Sequence, residues 1–305
     1  MSTSYPIGTP GQPWGEAERA AWRAAQRKQR SHADEVVAPI EALAARFDVE
    51  TYGRLDYDGQ QFPLLALRSR GWRDELPTML VTGGVHGYET SGVQGALQFL
   101  REHGEDWSSR ANLLVVPCVS PWGYERIQRW NFDALDPNRN FFAGTKAAES
   151  AALLALLAPL QGRVLMHIDL HETTDTDESE FRPALAARDG KPFEPGEIPD
   201  GFYLVDDSER PQPGFQRAVI EAVAPVTHIA EPDAKGNIID CPLQQHGVIA
   251  FAVSRSHLCA AMTGARFTTT TEVYPDSPRT SPAQCNAAQV AAVRAAIGYA
   301  LAAVN

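Results

Sequence analysis

Residues 80–90 read LVTGGVHGYET, and the rest of the chain is best understood as a scaffold for this segment. An apolar run ends there in two glycines and is followed by His86 and Glu89, three residues apart. We interpret residues 78–82 as a short buried strand whose carboxyl end delivers both side chains, because open α/β sheets gather their ligands at that end. A catalytic zinc site takes three protein ligands of the His or Glu type and keeps a fourth position for water. A third ligand should therefore follow at another strand end.

The apolar run 164–170 supplies that second strand end. His171 follows it directly, and His167 is the competitor, because alternate residues of an extended segment project to one face. An H-x-x-E pair alone also occurs by chance on surface turns. The prediction rests on the coincidence of two strand ends, glycines that allow close backbone approach, and the pair Asn138-Arg139 in a loop between them.

Composition excludes several classes of protein. Lys and Arg number 27 against 38 Asp and Glu, a net charge of −11, which disfavours nucleic acid and anionic membrane partners. No segment is long and apolar enough to span a bilayer or to serve as a signal peptide, so we expect a cytoplasmic protein. The four cysteines form no C-x-x-C pair, which favours buried free thiols over a cysteine zinc site or a disulfide framework.

The periodicity of the chain predicts alternating strands and helices, hence an α/β sheet with helices on both faces. We predict one domain over residues 1–305, in which 1–36 form an amino-terminal arm and helix. Helices within 15–46 should pack on the outside of the sheet, residues 120–142 should form a functional loop, and 172–200 should cross the surface without regular structure. The predicted strands are 49–57, 61–68, 78–82, 112–118, 164–171, 202–205, 248–253 and 267–273, and the later helices are 89–101, 147–160, 212–224 and 281–304.

Four strings in this order, HGYE at 86–89, DPNRNF at 136–141, DLHETTD at 169–175 and TTTTEVYP at 268–275, resemble the zinc carboxypeptidase superfamily. The most similar branch contains aspartoacylase and succinylglutamate desuccinylase. The resemblance covers roughly residues 78–300. It implies a three-layer α/β/α fold with a mixed, largely parallel central sheet and one Zn²⁺ per chain.

Carried over to this sequence, the resemblance implies that His86, Glu89 and His171 bind zinc. It also implies that Asp136 supports His86 by fixing its tautomer, although an Asx turn before Pro137 would explain the same aspartate without a metal. His167 would then be a core histidine lower on its strand.

The resemblance also implies roles for residues that act on the substrate. Glu272 would be the general base, unless it lies on an edge strand and faces solvent. Arg129 would hold the oxyanion, with Arg126 as the alternative. Asn138 and Arg139 would hold a substrate carboxylate, for which a guanidinium fork is suited.

Two features depart from the family pattern. No tyrosine occurs in 244–256, where the peptidases carry one that covers the substrate; Tyr203, Tyr274 and His246 are possible replacements. Pro137 stands between Asp and Asn and stiffens that loop. We also expect Arg255 to face a side-chain pocket.

The resemblance therefore predicts a zinc-dependent metallocarboxypeptidase-like hydrolase that cleaves an amide bond next to a free carboxylate. The PWGYER loop at 121–126 favours a peptidase, and only 33 residues follow Glu272, too few for a separate carboxyl-terminal β domain like that of aspartoacylase. An N-acyl amino-acid deacylase is the first alternative, and a non-catalytic binding module on the same fold is the second. The expected partner is a small peptide or N-acyl amino acid, and the sequence leaves the oligomeric state open.

Overall fold

The structure, a computed structural model, describes residues 5–304. Eight of the described strands form one sheet in the order β1-β2-β4-β3-β5-β10-β6-β9, and β7 pairs with β8 separately. The strands are β1 Phe47–Tyr57, β2 Gln60–Ser69, β3 Thr78–Gly83, β4 Asn112–Val116, β5 Val164–Glu172, β6 Tyr203–Asp207, β7 Asn237–Ile238, β8 Cys241–Pro242, β9 Val248–Phe251 and β10 Phe267–Val273.

Helices connect these strands. The α-helices are α1 Glu16–Ala25, α2 Ala38–Ala42, α3 Thr90–His103, α4 Pro121–Arg126, α5 Ala148–Leu157, α6 Arg182–Arg188, α7 Pro213–Val223 and α8 Pro282–Ala302. Short 3-10 turns occur at Pro137–Arg139, Ala158–Leu160 and Cys259–Ala261, and π-helical turns at Ala33–Val37 and Asp177–Phe181. None of the helices in residues 5–304 combines the length and hydropathy needed to cross a membrane.

The sheet is mixed, with four parallel strand pairs in its middle and at one edge. β4, β3, β5 and β10 run parallel as neighbours, and β6 runs parallel to β9, while the remaining three pairs are antiparallel. On one face Val81 packs into a core with Val293 of α8, and on the other Leu80 packs with Leu153 of α5. This alternation buries both faces of β3, so the three-layer α/β/α fold is confirmed.

The predicted hairpin lies at one edge of the sheet. Strands β1 and β2 are antiparallel from the pair Phe47 and Ser69 to the pair Tyr57 and Gln60. Asp58 and Gly59 have φ values of 52° and 76°, the two positive values that a type I′ turn requires. The Asp-Gly signal in the sequence therefore predicted this turn correctly.

Strand β10 is central, with β5 on one side and β6 on the other. Its successive threonines point to opposite faces of the sheet. Thr269 Oγ1 donates to Gln216 Oε1 of α7 at 2.7 Å, and Thr271 Oγ1 donates to Gln289 Oε1 of α8 at 2.6 Å. Thr268 Oγ1 donates to the carbonyl of Ala260 on the other face at 2.8 Å. Glu272 shares the face of Thr268.

Two segments differ from the sequence prediction. The stretch 172–200 contains a helical part, 177–188, which its charge and prolines concealed; Phe181 and Ala184 pack into a cluster with Trp130 there. The predicted loop 120–142 contains helix α4, and Trp22 of α1 packs on Trp122 of α4 and on Trp130 of the loop that follows it. Residues 1–4 of the predicted arm lie outside the described residues.

Candidate metal centre

Three side chains converge where β3 and β5 end. His86 and Glu89 lie on the turn between β3 and α3, and His171 is the penultimate residue of β5. The Glu89 carboxylate lies 2.7 Å from Nδ1 of His86 and 2.7 Å from Nδ1 of His171, and the two Nδ1 atoms are 3.2 Å apart. All three side chains are at most 2% exposed. In the described chain no other group of three His, Cys, Asp or Glu side chains is arranged to hold a metal ion.

The outer nitrogen of each imidazole is held by an aspartate. Nε2 of His86 donates to Asp136 Oδ1 at 3.0 Å, and Nε2 of His171 donates to Asp169 Oδ2 at 2.7 Å. These bonds place a proton on Nε2 of each imidazole and leave Nδ1 as the nitrogen that would bind a metal ion. The family resemblance implies this role for Asp136 but gives none to Asp169, although a carboxylate two residues before His171 on a strand must share its face.

The charges of the cluster suit a cation. Burial alone would raise the pKa of Glu89, but His171 and His86 lower it to about 2. Burial would lower the pKa of His171, but the carboxylates of Glu89 and Asp169 raise it well above its usual value. A buried carboxylate between two imidazoles, with two further carboxylates behind them, is a donor set that fits Zn²⁺.

The turn that carries two of these residues is fixed from outside. A Cβ at Gly87 would lie 2.0 Å from the carbonyl carbon of Gly123, so only glycine allows the turn to pack on α4. Arg30 donates to the carbonyl of Gly87 at 2.7 Å and to Thr90 Oγ1 at 2.7 Å, and its guanidinium carbon lies 3.6 Å from the ring centroid of Tyr124. The amino-terminal segment therefore contacts residues on both sides of Glu89.

Glu272 lies beside the cluster. In β10 it is in register with His171 of β5 and with Tyr203 of β6. Thr173 Oγ1 donates to Glu272 Oε2 at 3.0 Å, and the Tyr203 hydroxyl lies 2.8 Å from the same Oγ1. Burial raises the pKa of Glu272 to about 8, although the neighbouring charge of His171 acts to lower this pKa. The strand is central, so the edge-strand interpretation of Glu272 is wrong.

The two loop arginines take different places. Arg129 lies in the site: its Nε donates to Asp136 Oδ2 at 3.1 Å, its Nη1 donates to the Tyr88 hydroxyl at 2.9 Å, and Nη1 lies 4.0 Å from Glu89 Oε1. Arg126 donates to Gln60 Oε1 of the hairpin at 2.9 Å and so lies away from the cluster. Of the two, the structure places Arg129 beside the predicted ligands.

Asn138 and Arg139, the pair predicted to hold a substrate carboxylate, make different contacts. Asn138 Oδ1 accepts from the backbone N–H of Cys259 at 2.7 Å, and its Nδ2 lies 3.4 Å from Nε2 of His171. Arg139 is exposed and donates to the carbonyl of Asn138 at 2.8 Å. Within residues 5–304 no carboxylate lies within 4.0 Å of its guanidinium. Arg139 is therefore a cation that an anionic ligand could reach, whereas the amide of Asn138 is already engaged.

The remaining candidates are placed as follows. Tyr203 is buried beside Thr173, the Tyr274 hydroxyl donates to Asp175 Oδ1 at 2.8 Å, and His246 is exposed. His167 lies below the cluster, with Nε2 3.0 Å from Thr82 Oγ1. The expectation for Arg255 is wrong, because its side chain is 80% exposed and pairs with Glu209 at 2.8 Å.

Residues 44–179 match a family model described as "Protein of unknown function (DUF2817)", a range that includes His86, Glu89 and His171. No curated protein matches the sequence. Solved structures do match the fold. A "putative metallopeptidase" from Shewanella amazonensis superposes with a TM-score of 0.64 and 23% identity, over 90% of this chain and 98% of that chain.

Two metallo-carboxypeptidases also match, each at 16% identity. The one from Burkholderia cenocepacia gives a TM-score of 0.58 over 96% of this chain and 70% of that chain. The one from Pseudomonas aeruginosa, in complex with (2-guanidinoethylmercapto)succinic acid, gives 0.55 over 95% and 70%. The chain thus has the metallo-carboxypeptidase fold that its HGYE, DPNRNF and DLH strings predict.

Proposed function

We propose that this protein is a zinc-dependent hydrolase that cleaves an amide bond next to a free carboxylate, as a metallocarboxypeptidase does. One observation carries the proposal: two Nδ1 atoms and the Glu89 carboxylate converge on one point, and Glu272 is in register with the neighbouring His171. A zinc ion held by His86, Glu89 and His171 would polarise the scissile carbonyl and make a bound water more acidic.

Glu272 moves the proton in this reaction. Hydrolysis consumes one water; a C–O bond forms, the C–N bond breaks, and one proton passes from the water to the leaving nitrogen. Because Thr173 donates to Oε2, Oε1 is the oxygen that takes this proton and then gives it up. Burial raises the pKa of Glu272, which makes its carboxylate a stronger proton acceptor than an exposed one.

The arginines bind and orient the substrate. Arg139 is exposed to solvent, and its planar guanidinium group would hold the substrate carboxylate through two hydrogen bonds. In Arg129, Nε and Nη1 already donate to Asp136 and Tyr88, so Nη2 is the nitrogen that would donate to the oxyanion.

The test is metal content followed by hydrolysis of N-blocked dipeptides and N-acyl amino acids, with and without chelator. We expect about one zinc per chain and chelator-sensitive release of the carboxyl-terminal residue. Preference for acyl amino acids would instead identify an N-acyl amino-acid deacylase. If the protein contained no metal and hydrolysed no substrate, a non-catalytic binding module would be the better interpretation. Glu272→Gln should keep the zinc and lose turnover; a variant that still turns over would remove Glu272 from this role.

A further inference from the structure

A second cleft begins at the wall of the metal centre. It has a volume of about 80 Å³, below the range typical of pockets that hold a whole drug-sized ligand, so it can take only a small group. Tyr88 and Arg129 line this cleft, and the same two residues lie next to the metal centre. The other walls come from the amino-terminal segment, from the loop after β4 and from the helical part at 177–188.

The lining of this cleft is mainly aromatic. Trp22 and Trp130 have ring centroids 5.4 Å apart, and Trp130 meets Phe181 edge to face at 5.7 Å. Tyr5 also lines the cleft, and the Arg129 guanidinium carbon lies 4.3 Å from the ring centroid of Phe181. Such a lining favours a flat apolar group, because aromatic rings pack edge to face or offset.

The charges of the cleft argue against an anionic occupant. The guanidinium of Arg129 is already paired with Asp136 at 3.1 Å and Asp177 at 3.4 Å. Glu180, an exposed carboxylate, lines the cleft as well. With no unpaired cation among the described lining residues, a neutral aromatic group fits better than a dicarboxylic acyl group.

Ile127 at the edge of the cleft is held in an unfavourable conformation. Its φ and ψ are both 54°, the left-handed region that β-branched residues avoid. Its side chain is also 37% exposed, so its own burial does not explain the conformation. Backbone strain of this kind persists mainly where it serves binding or catalysis.

We propose that this cleft binds a neutral aromatic group on the acyl side of the scissile bond, next to the carbonyl that Arg129 faces. The inference rests on the proposed function, in which Arg139 takes the substrate carboxylate while Arg129, whose Nη1 lies 4.0 Å from Glu89 Oε1, takes the carbonyl. The aromatic group could be an N-aroyl cap or the side chain of a penultimate aromatic residue; both present the same ring.

The experiment compares kcat/KM of the zinc-loaded protein for substrates that share the fastest-cleaved carboxyl-terminal residue. The caps are N-acetyl, N-benzoyl and N-succinyl, and a dipeptide arm compares N-acetyl-phenylalanyl with N-acetyl-alanyl. We expect kcat/KM to be at least 10-fold higher for the aromatic group in one of these two comparisons. The comparison that shows the preference tells whether the cleft binds the N-terminal cap or the penultimate side chain. The succinyl substrate should be cleaved most slowly.

Three variants localise the effect. Phe181→Ala and Ile127→Asn should each reduce the aromatic preference several-fold, whereas Phe193→Ala, at an exposed phenylalanine outside the cleft, should leave it unchanged. Ile127→Asn should not lower the unfolding temperature, since asparagine tolerates a positive φ. A lower unfolding temperature together with an unchanged preference would give Ile127 a purely structural role and overturn its part in the proposal.

Binding to the zinc-free protein separates this inference from the proposed function. Benzamide, but not acetamide, should change the fluorescence of Trp22 and Trp130, and Ile127→Asn should weaken the change. Turnover with equal kcat/KM for all caps would overturn the cleft proposal and leave the hydrolase. Benzamide binding that depends on Ile127, with no turnover of any substrate, would overturn the hydrolase and leave the cleft.

Discussion

Replacing Asp169 with asparagine should weaken zinc binding without changing a ligand. Asp169 is fully buried and accepts from Nε2 of His171 at 2.7 Å and from Thr82 Oγ1 at 2.6 Å. Asparagine has nearly the same shape, and its amide oxygen can still accept from His171. Its amide nitrogen then faces Thr82 Oγ1, so the substitution removes the negative charge behind the imidazole and the hydrogen bond that Thr82 donates.

The size of the effect follows from the loss of charge assistance. A hydrogen bond to a charged group contributes about 1.5–3 kcal/mol net, and one between neutral groups about 1 kcal/mol. The difference of about 0.5–2 kcal/mol corresponds to a loss of roughly 2- to 30-fold in zinc affinity. The upper part of this range overlaps the loss of about 10- to 100-fold that is typical when such a partner of a metal-bound histidine is removed.

The assay is a competition for zinc against a chromogenic chelator, at fixed pH, with wild type and variant in parallel. Glu149→Gln is the matched control. Glu149 is also a fully buried carboxylate, but it accepts from Tyr57 at 3.1 Å and Asn131 at 3.0 Å and contacts none of the predicted ligands. The control should bind zinc as tightly as the wild type.

Two results would refute this reasoning. If Asp169→Asn bound zinc within a factor of two of the wild type, the aspartate would not tune His171. If Glu149→Gln lost as much affinity as Asp169→Asn, the effect would be a general consequence of disturbing a buried carboxylate.

Three further changes have defined outcomes. Arg30→Ala should weaken zinc binding several-fold by loosening the ligand turn, while Arg23→Ala, which loses a similar backbone contact to Phe132, should not; equal zinc affinities measured by competition would contradict this. Burial lowers the pKa of His32 from 6.5 to about 4, so the unfolded chain takes up a proton first as pH falls below 6.5. The free energy of unfolding should then drop by roughly 2 kcal/mol between pH 7 and pH 5 in urea titrations, relative to His32→Asn. Arg139→Ala should raise KM for carboxylate substrates at least 10-fold but leave that for their methyl amides unchanged; equal effects on both would dissociate Arg139 from the carboxylate.

The central part of the fold follows from local sequence. A buried strand that ends in glycines, an Asp-Gly turn between alternating runs and the β-prone run before Glu272 each specify their own structure with little help from the rest of the chain. The positions of His86, Glu89 and His171 at strand ends follow from the same patterns, because parallel strands bring their carboxyl ends together.

What the sequence could not predict depends on contacts between distant residues. The charged segment 177–188 is helical because Phe181 and Ala184 pack in a cluster with Trp130. Hydrophobic periodicity cannot predict a packing partner that is distant in sequence. The pairing of Arg255 with Glu209 on the surface is equally non-local. Asp169 could have been found, since its spacing from His171 already placed both side chains on one face.

The four consecutive threonines of β10 carry a consequence for how Glu272 is aimed. A run of identical residues does not specify which residue pairs with which in the neighbouring strand. A register shift of one residue would turn Glu272 to the face on which α7 and α8 pack. Gln216 and Gln289 remove this ambiguity, since each accepts from a different threonine of the same face. The side-chain amides of Gln216 on α7 and Gln289 on α8 thus fix the register that decides on which face Glu272 lies, and Gln289 also donates to the backbone carbonyl of His171 at 2.9 Å. Replacing both should produce a mixture of strand registers, in which Glu272 lies beside His171 in only part of the molecules.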